Sequence, residues 1–545
     1  MIETISLVLA VLLVAAWTRP VALIGLRSLH ILQLEEYQTA RFWRWLVDHV
    51  SDRSVQIVDR PLGITLVVVV VGTSFLPFPL WSAVSLAGVV IGALYSRRAR
   101  QLEAKKPLVL TARAKRLLIG WVGCVLVVAA LVVLGVSHWA VGPREIVLAV
   151  SGTILLVGVF GWPLVSLANL LLYPVEASFR GYYLRSAARI LDDYRPVVIG
   201  VAGSYGKTST KSILAQILST RYPALATPRS FNTPMGLCRV IREQLKPDHR
   251  YFVAELGAYQ RGEIRQLGKL VKPTIGILTA VGPEHLERFG SMENVREAEF
   301  EIVEALPSNG LAIFNGDDPT CRELAARAGC RAILAGGPDH DRREIWAEDV
   351  KLTSGGLRFS LCHKDGHRAE VVTRLLGRHN VSNVLVAGLA ALHCGLSFDE
   401  LVAAIPQLDP IEHRLQLVPN DNGVVVIDDT YNSNPRGAAM ALETLATFTG
   451  GRRYLVTPGM IELADMQEEA HRDFGRLAAR VCDGVILVGP KQTRAIADGL
   501  VEAGFRRERL IVTRNLAEAS DKLKTLLRRG DAVLFENDLP DNYNE

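Results

Sequence analysis

Residues 200–210 read GVAGSYGKTST. A β-branched run, PVVIGVA at 196–202, leads into them, and Lys207–Leu218 continues from them with the texture of a helix. A strand, a turn at Gly203-Ser204-Tyr205-Gly206 and a helix start make an anion cradle, because backbone N–H groups and the positive helix end point at one spot. Lys207 adds a point charge there, and the Thr208 hydroxyl is placed to reach Mg2+. A strict phosphate-loop pattern carries glycine at 201, where this chain has Val201. The stretch is expected to hold a nucleotide triphosphate, with Gly203, Ser204, Tyr205, Gly206, Lys207, Thr208 and Ser209 as contacts.

Downstream the alternation repeats. Short runs such as YFVAELG (251–257), TIGILTAV (274–281), LAIFN (311–315), GVVVIDD (423–429), RYLVTPG (453–459) and GVILVG (484–489) are separated by helical-looking segments. That pattern implies α/β architecture with parallel sheets and sites at the C-terminal ends of strands. It is read as a central ATP-binding domain over 196–411 and a smaller Rossmann-like domain over 412–545.

The first 195 residues differ. Overall, 49% of the 545 residues are hydrophobic and the mean hydropathy is +0.22, yet 21% are charged, as expected of a chain with two solvents. Apolar runs lie at 2–17, 62–76, 80–95, 117–136 and 145–172. Spanning helices need about 20 mostly apolar residues. The run 62–95 reads as a hairpin broken by Pro77 and Pro79, and the first run lacks a basic leader and a small-residue cleavage site. Arg19, Arg27, Arg41, Arg44, Arg53 and Arg60 lie between the first two runs. Arg97, Arg98, Arg100, Lys105, Lys106, Arg113, Lys115 and Arg116 lie between the third and fourth, while 77–79 and 137–143 carry no Lys or Arg. The positive-inside rule puts the two basic loops in the cytoplasm. Five spans then leave the N-terminus outside and everything after 175 inside, where ATP is. The stretch 34–46, LEEYQTARFWRWL, reads either as a helix in the headgroup layer or as a cradle for a lipid-linked anionic substrate. The net charge of +5 is too small for the basic footprint of nucleic-acid binding. The seven cysteines show no CxxC spacing and no His at metal-ligand spacing, so reduced thiols are expected.

Several further motifs follow the phosphate loop: SFNTPMGL (230–237), VAELGAYQRGEI (253–264), LTAVGPEHLERFGSMENVREAEFEI (278–302), FNGDDP (314–319), LGRHNVSN (376–383), EHR (412–414), IDDTYNSNPRGA (427–438) and GMIELADMQEEAH (459–471). In this order and spacing, over roughly 196–535, they resemble the Mur ligase family. They are most like the branch that adds D-alanyl-D-alanine to the muramoyl tripeptide of peptidoglycan precursors. The resemblance implies that ATP phosphorylates a carboxylate and that an amine then attacks the acyl phosphate, with Mg2+ as cofactor. Such chemistry relies on positioning and charge neutralisation. It implies Glu255 and Thr208 as Mg2+ ligands, His285 as a holder of a second metal, and Asn383 and Asn315 around the nucleotide. Arg414 and Asp429 would close over ATP from the C-terminal domain, and Tyr431 and Asn432 would shape the acceptor site.

Three departures bear on mechanism. Where the family carries a carbamylated lysine, this chain has Glu299, a carboxylate on a shorter stem that is expected to bind the second Mg2+ without CO2. The membrane segment stands where relatives carry a domain for the UDP-sugar, which suggests a lipid-linked substrate. The C-terminus, VLFENDLPDNYNE (533–545), replaces a basic segment; Glu536, Asp538 and Asp541 are read as an acidic lip favouring a cationic acceptor. The reading is a multi-pass cell-membrane protein with cytoplasmic catalytic domains, an ATP-dependent carbon–nitrogen ligase joining a peptidoglycan precursor to an amino acid or peptide amine. Two alternatives stay open: a membrane ligase making a poly-γ-glutamate-type polymer, and a non-catalytic nucleotide-binding scaffold for cell-wall enzymes.

Overall fold

The structure is a computed structural model that describes residues 2–48, 60–98, 107–137, 142–338, 342–431 and 433–538. Arg53, Arg100, Lys105, Lys106, Asn432 and Asp541, singled out above, lie outside the described residues. The chain forms two units, Met1–Arg180 and Gly181–Glu545.

In the first unit every apolar run becomes a helix: α1 (Ile2–Leu34), α3 (Arg60–Phe75), α4 (Phe78–Arg98), α5 (Ala112–Ser137) and α6 (Pro143–Tyr194), with α2 (Thr39–Asp48) between the first two. The break at Leu76–Pro77 makes α3 and α4 the expected hairpin. Of the five, α1, α5 and α6 are long and apolar enough to cross a membrane; the apolar part of α4, Phe78–Leu94, is shorter. Glycines let these helices approach closely. A Cβ on Gly25 would strike the Trp121 ring at 2.7 Å. The 34–46 segment is partly internal: Phe42 is fully buried, and Phe42 and Trp45 lie against Trp162 at ring-centroid distances of 5.8 and 6.2 Å.

The second unit holds two sheets. The nine-stranded sheet contains β1 (Val197–Ala202), β2 (Ala224–Ala226), β3 (Tyr251–Glu255), β4 (Ile275–Leu278), β5 (Leu311–Asn315), β6 (Arg331–Ala335), β7 (Arg343–Thr353), β8 (Gly356–His363) and β9 (Arg368–Thr373). Its order is β2-β3-β1-β4-β5-β6-β7-β8-β9. It is parallel as far as β7, as the alternation required, and then turns antiparallel through β8 and β9. Fully buried Val, Ile, Leu and Phe on both faces mark strands sandwiched between helices. The second sheet, β10 (Gln416–Val418), β11 (Val425–Asp429), β12 (Arg453–Thr457), β13 (Gly484–Val488), β14 (Leu510–Thr513) and β15 (Ala532–Glu536), runs β10-β11-β15-β12-β13-β14. Only β10 is antiparallel within it.

The two units meet at 180/181, and the last turns of α6 belong to the second. Ala187 and Leu191 are buried there with Val198, Phe252 and Leu270, so this stretch is core of the α/β unit.

Candidate active site

At the C-terminal end of β1 the chain turns through Gly203 and Gly206, both with positive φ, into α7 (Lys207–Ser219). The turn is tight against its neighbours: a Cβ on Gly206 would lie 2.6 Å from Asn383 Oδ1. Ser204 N donates to Ala280 O (2.7 Å), and Gly282 N donates to Ser204 Oγ (3.0 Å). Val201, the departure from the strict pattern, is a buried strand residue opposite Glu255, so the turn begins at Gly203.

Glu255 ends β3 and is 1% exposed. Its Oε2 accepts from Thr208 Oγ1 (3.0 Å) and Lys211 Nζ (2.9 Å), and its Oε1 accepts from Asn232 Nδ2 (3.1 Å). Glu299, 3% exposed on the helix Met292–Glu304, accepts from Gly203 N at 2.6 Å. Burial pushes its carboxyl up to about 7 against the pull of Lys207. Lys207 Nζ reaches Glu284 Oε2 at 3.0 Å and also donates to the Gly203 and Ser204 carbonyls. Burial works against its charge, but Glu284, Glu299 and Glu255 together raise its pKa.

Mg2+ usually takes one or two carboxylates, with phosphate oxygens and water completing the octahedron. Thr208 and Glu255, adjacent at the loop, suit that demand. Among the described residues no three His, Cys, Asp or Glu side chains converge on a metal position. His285, at a positive φ of 51°, is instead gripped from the C-terminal domain. Its Nδ1 meets Glu462 Oε2, Arg288 Nη2 donates to Glu462 Oε1 at 2.6 Å, and Glu287 N donates to Glu462 O at 3.3 Å. The Tyr259 ring lies 4.6 Å from His285 and 4.3 Å under Arg288. Burial disfavours the Glu462 charge, yet His285 and Arg288 hold its carboxyl down to about 2. The loop carrying Glu462 is itself fixed by His471, whose Nε2 meets Met460 N at 2.8 Å.

The remaining expected contacts are structural partners as well. Asn383 accepts from Thr210 Oγ1 (3.2 Å) and donates to Asn380 Oδ1 (2.9 Å), directly beneath the loop. Asn315 Nδ2 donates to Thr279 O at 2.7 Å, joining β5 to the end of β4. The Ser209 side chain is buried on the inner face of α7. In the C-terminal domain the Arg414 guanidinium lies 4.3 Å over the Tyr431 ring, and Asp429 accepts from Leu415 N at 3.2 Å. Burial raises Asp429 to about 6 against Arg414. Burial, with Arg414 and Arg436 nearby, lowers His379 to about 4.

The acidic lip is not what Glu536 forms. It is the last residue of β15, 1% exposed, and accepts from Thr457 Oγ1 (2.8 Å) and Ser433 Oγ. Burial raises it to about 7 against those two bonds.

Sequence reasoning assigned no role to Lys211, Asn232, Glu284, Arg436 or Glu462. Lys211 had a signal, standing four residues after Lys207 and so on the same helix face. Arg436, 3.6 Å from Asp318, and Glu462 act across the domain boundary, which no local pattern encodes.

The family model described as Mur ligase middle domain matches residues 201–391, and that described as Mur ligase, glutamate ligase domain, matches 413–536. The chain is 32% identical over 362 residues to UDP-N-acetylmuramoyl-tripeptide--D-alanyl-D-alanine ligase of Mycobacterium tuberculosis, covering 62% of this chain and 70% of that one. It is 33% identical over 336 residues to the ligase of the same name from Escherichia coli, covering 61% and 74%. Among solved structures it is similar to MurF from Acinetobacter baumannii, with TM-score 0.59 and 28% identity over 66% of this chain and 77% of that one. MurF from Thermotoga maritima, solved in complex with ADP, gives a TM-score of 0.58 and 26% identity over 66% and 80%. The chain belongs to the Mur ligase family of ATP-dependent, amide-forming ligases.

Two outcomes follow from the geometry. Removing Glu462 leaves His285 and Arg288 without their carboxylate, so Glu462→Ala should destabilise the second unit by roughly 3 kcal/mol. Thermal unfolding of the ligand-free full chain should show this, with Arg288→Ala adding little on top of it; equal midpoints would remove the clamp. Glu536 is raised from 4.5 to about 7 in the folded state. Its stabilising contribution is whole below pH 4.5 and falls away, by on the order of 3 kcal/mol, as pH rises to 7. Glu536→Gln lacks that slope, so its melting temperature should gain on wild type between pH 5 and pH 8. A parallel pH dependence in both proteins would contradict the assignment.

Proposed function

We propose that this chain is a membrane-anchored ligase that activates the carboxyl group of a cell-wall precursor peptide as an acyl phosphate and passes it to an amine. The observation carrying this reading is the loop Gly203–Thr208 with Glu255, Glu299 and Glu284 around it. Phosphoryl transfer needs positioned cations and little covalent chemistry from the protein. Lys207 would leave the Gly203 and Ser204 carbonyls for the nucleotide phosphates, while backbone N–H groups of the turn fix their orientation. Mg2+ held at Thr208 and Glu255 would supply charge neutralisation on the phosphate oxygens. Glu299 would add negative charge on the other side of the loop, taking the part of the family's carbamylated lysine. Arg414 would stabilise charge developing on the transferred group, and Glu462 would keep His285 in one orientation as the domains close.

Membrane anchoring is supported by the first unit. The apolar window of α5 is 17% buried. Ile119, Leu126 and Leu131 on α5 and Leu170 and Leu171 on α6 face outward, a surface too large and continuous to leave in water. Relatives of the matched branch carry names that specify a UDP-N-acetylmuramoyl tripeptide and D-alanyl-D-alanine. Here a lipid-linked form of such a precursor is the favoured acyl donor.

With the full chain in phospholipid nanodiscs, ATP and D-alanyl-D-alanine, a lipid-diphosphate-linked muramoyl tripeptide should be used at least tenfold more efficiently, in kcat/KM, than the soluble UDP-linked one. Equal use of both would remove the lipid-linked reading; no phosphate release with either would remove this pair of substrates. Glu299→Gln keeps an acceptor for Gly203 N–H but loses the charge. It should lower kcat by about a hundredfold and move half-maximal activity to higher Mg2+ concentration. An unchanged Mg2+ dependence would show that Glu299 is no part of the metal site.

A further inference from the structure

The first unit holds a second basic site, unconnected with the nucleotide loop. It lies where the C-terminal end of α1, the start of α5 and residues 169–180 of α6 come together. Gln33 closes this corner: its Nε2 donates to Val109 O (2.8 Å) and to Tyr37 Oη (3.0 Å), and its Oε1 accepts from Val109 N (3.0 Å). Asn169 Nδ2 donates to Tyr37 O at 3.1 Å and to Thr39 Oγ1 at 3.0 Å. Tyr37 is therefore held from both ends, its backbone at a positive φ of 61°. On its ring, 4.1 Å from the centroid, lies the guanidinium of Arg113.

Arg113 is held in position, and among the described residues no anion comes within hydrogen-bond distance of it. Its Nε is buried and makes no hydrogen bond among the described residues. The nearest carboxylate oxygen, Glu176 Oε2, is 3.9 Å away. Glu176 is already committed to Arg116, which donates to it twice, at 2.6 and 2.9 Å, and covers the Phe179 ring at 4.7 Å. Arg180 is close enough for its charge to act on Arg113. Among the described residues Arg113 and Arg116 thus face one carboxylate, with Arg180 a third positive charge near Arg113, at the polar end of three long apolar helices. Guanidinium groups match phosphate oxygens as planar forks, and a stacked arginine loses little freedom on binding one.

We infer that Arg113, flanked by Arg116 and Arg180 on the Tyr37 shelf, binds the phosphate group of a membrane lipid, with a polyisoprenyl diphosphate as the ligand its charge fits best. This rests on the membrane placement proposed above and not on the ligase chemistry. The start of α5 and the end of the apolar part of α6 come together at this corner, so the site sits at the polar margin of the apolar helices, where lipid headgroups would lie.

The test uses the full chain in phosphatidylcholine nanodiscs with farnesyl diphosphate as the probe. Wild type should bind it saturably, and Arg113→Ala should weaken binding roughly tenfold or more. Arg113→Lys should recover part of the loss, and Lys115→Ala, an exposed neighbour outside the shelf, should change little. Competition by phosphatidylglycerol but not by inorganic pyrophosphate would support the lipid-phosphate site with bulk lipid as its occupant. Competition by inorganic pyrophosphate at equal concentration would overturn the lipid part of the inference. Equal affinity of wild type and Arg113→Ala, with ADP binding intact in both, would overturn the site and leave the ligase reading standing. Failure of the wild-type chain to enter nanodiscs at all would overturn the membrane placement with it.

Discussion

Glu255 sits at the end of a central strand with its carboxylate almost entirely out of water, and Lys211 on α7 meets it in the same dry place, 2.9 Å away. Two ions so placed are costly unless every lone pair and proton finds a partner. Here the carboxylate also takes Thr208 and Asn232, while its backbone N–H donates to Thr227 Oγ1 at 3.2 Å. This set of bonds ties α7, β3 and the 227–232 segment into one arrangement. Because α7 cannot rotate without breaking it, Thr208 is held facing the loop and Lys207 is held at its mouth. The left-handed turns at Gly203 and Gly206 then follow, since only a residue without a side chain fits between α7, Thr279 and Asn383.

The same logic of unpaired charge governs the cleft between the two sheets. Arg436 approaches Asp318 Oδ2, whose other oxygen caps the helix Pro319–Ala325 through Cys321 N at 2.9 Å. Glu462, of opposite charge, crosses from the same domain to His285 and Arg288. Each domain thus contributes a cation and a carboxylate to the other. A contact that includes directed charges can come apart and re-form as the domains move, as a site that must admit a nucleotide and release a product requires.

The phosphate loop was legible because its determinants are consecutive: strand, glycines, lysine and hydroxyl occur within eleven residues and need no tertiary information. The parallel sheets were legible for the same reason, through the alternation of β-branched runs and helical segments. The antiparallel β7–β9 meander was not read, although Gly355-Gly356 and Asp365-Gly366 stand at its two turns and are the usual hairpin residues. Glu536 shows the opposite failure. As text it was one acid in an acidic tail, but β15 lies between β11 and β12, and a residue on a central strand is buried whatever its charge. Glu462 and Arg436 were visible within quoted motifs, yet their partners are 174 to 177 residues away for Glu462 and in the other domain for Arg436.

The first unit changes the count of spans without changing the sidedness argued from charge. At 1.5 Å per residue, the 16-residue α3 and the apolar part of α4 each reach about 25 Å, short of a hydrocarbon core of about 30 Å. If the hairpin enters and leaves the bilayer from one face, only α1, α5 and α6 cross. Three crossings, like five, is an odd number, so the parity used in the charge argument does not depend on whether the hairpin crosses. In sequence the basic residues flank the hairpin on both ends whether it crosses or not, so the positive-inside reading is the same for either count. The shorter hairpin therefore removes a conflict with bilayer thickness and leaves the charge argument intact.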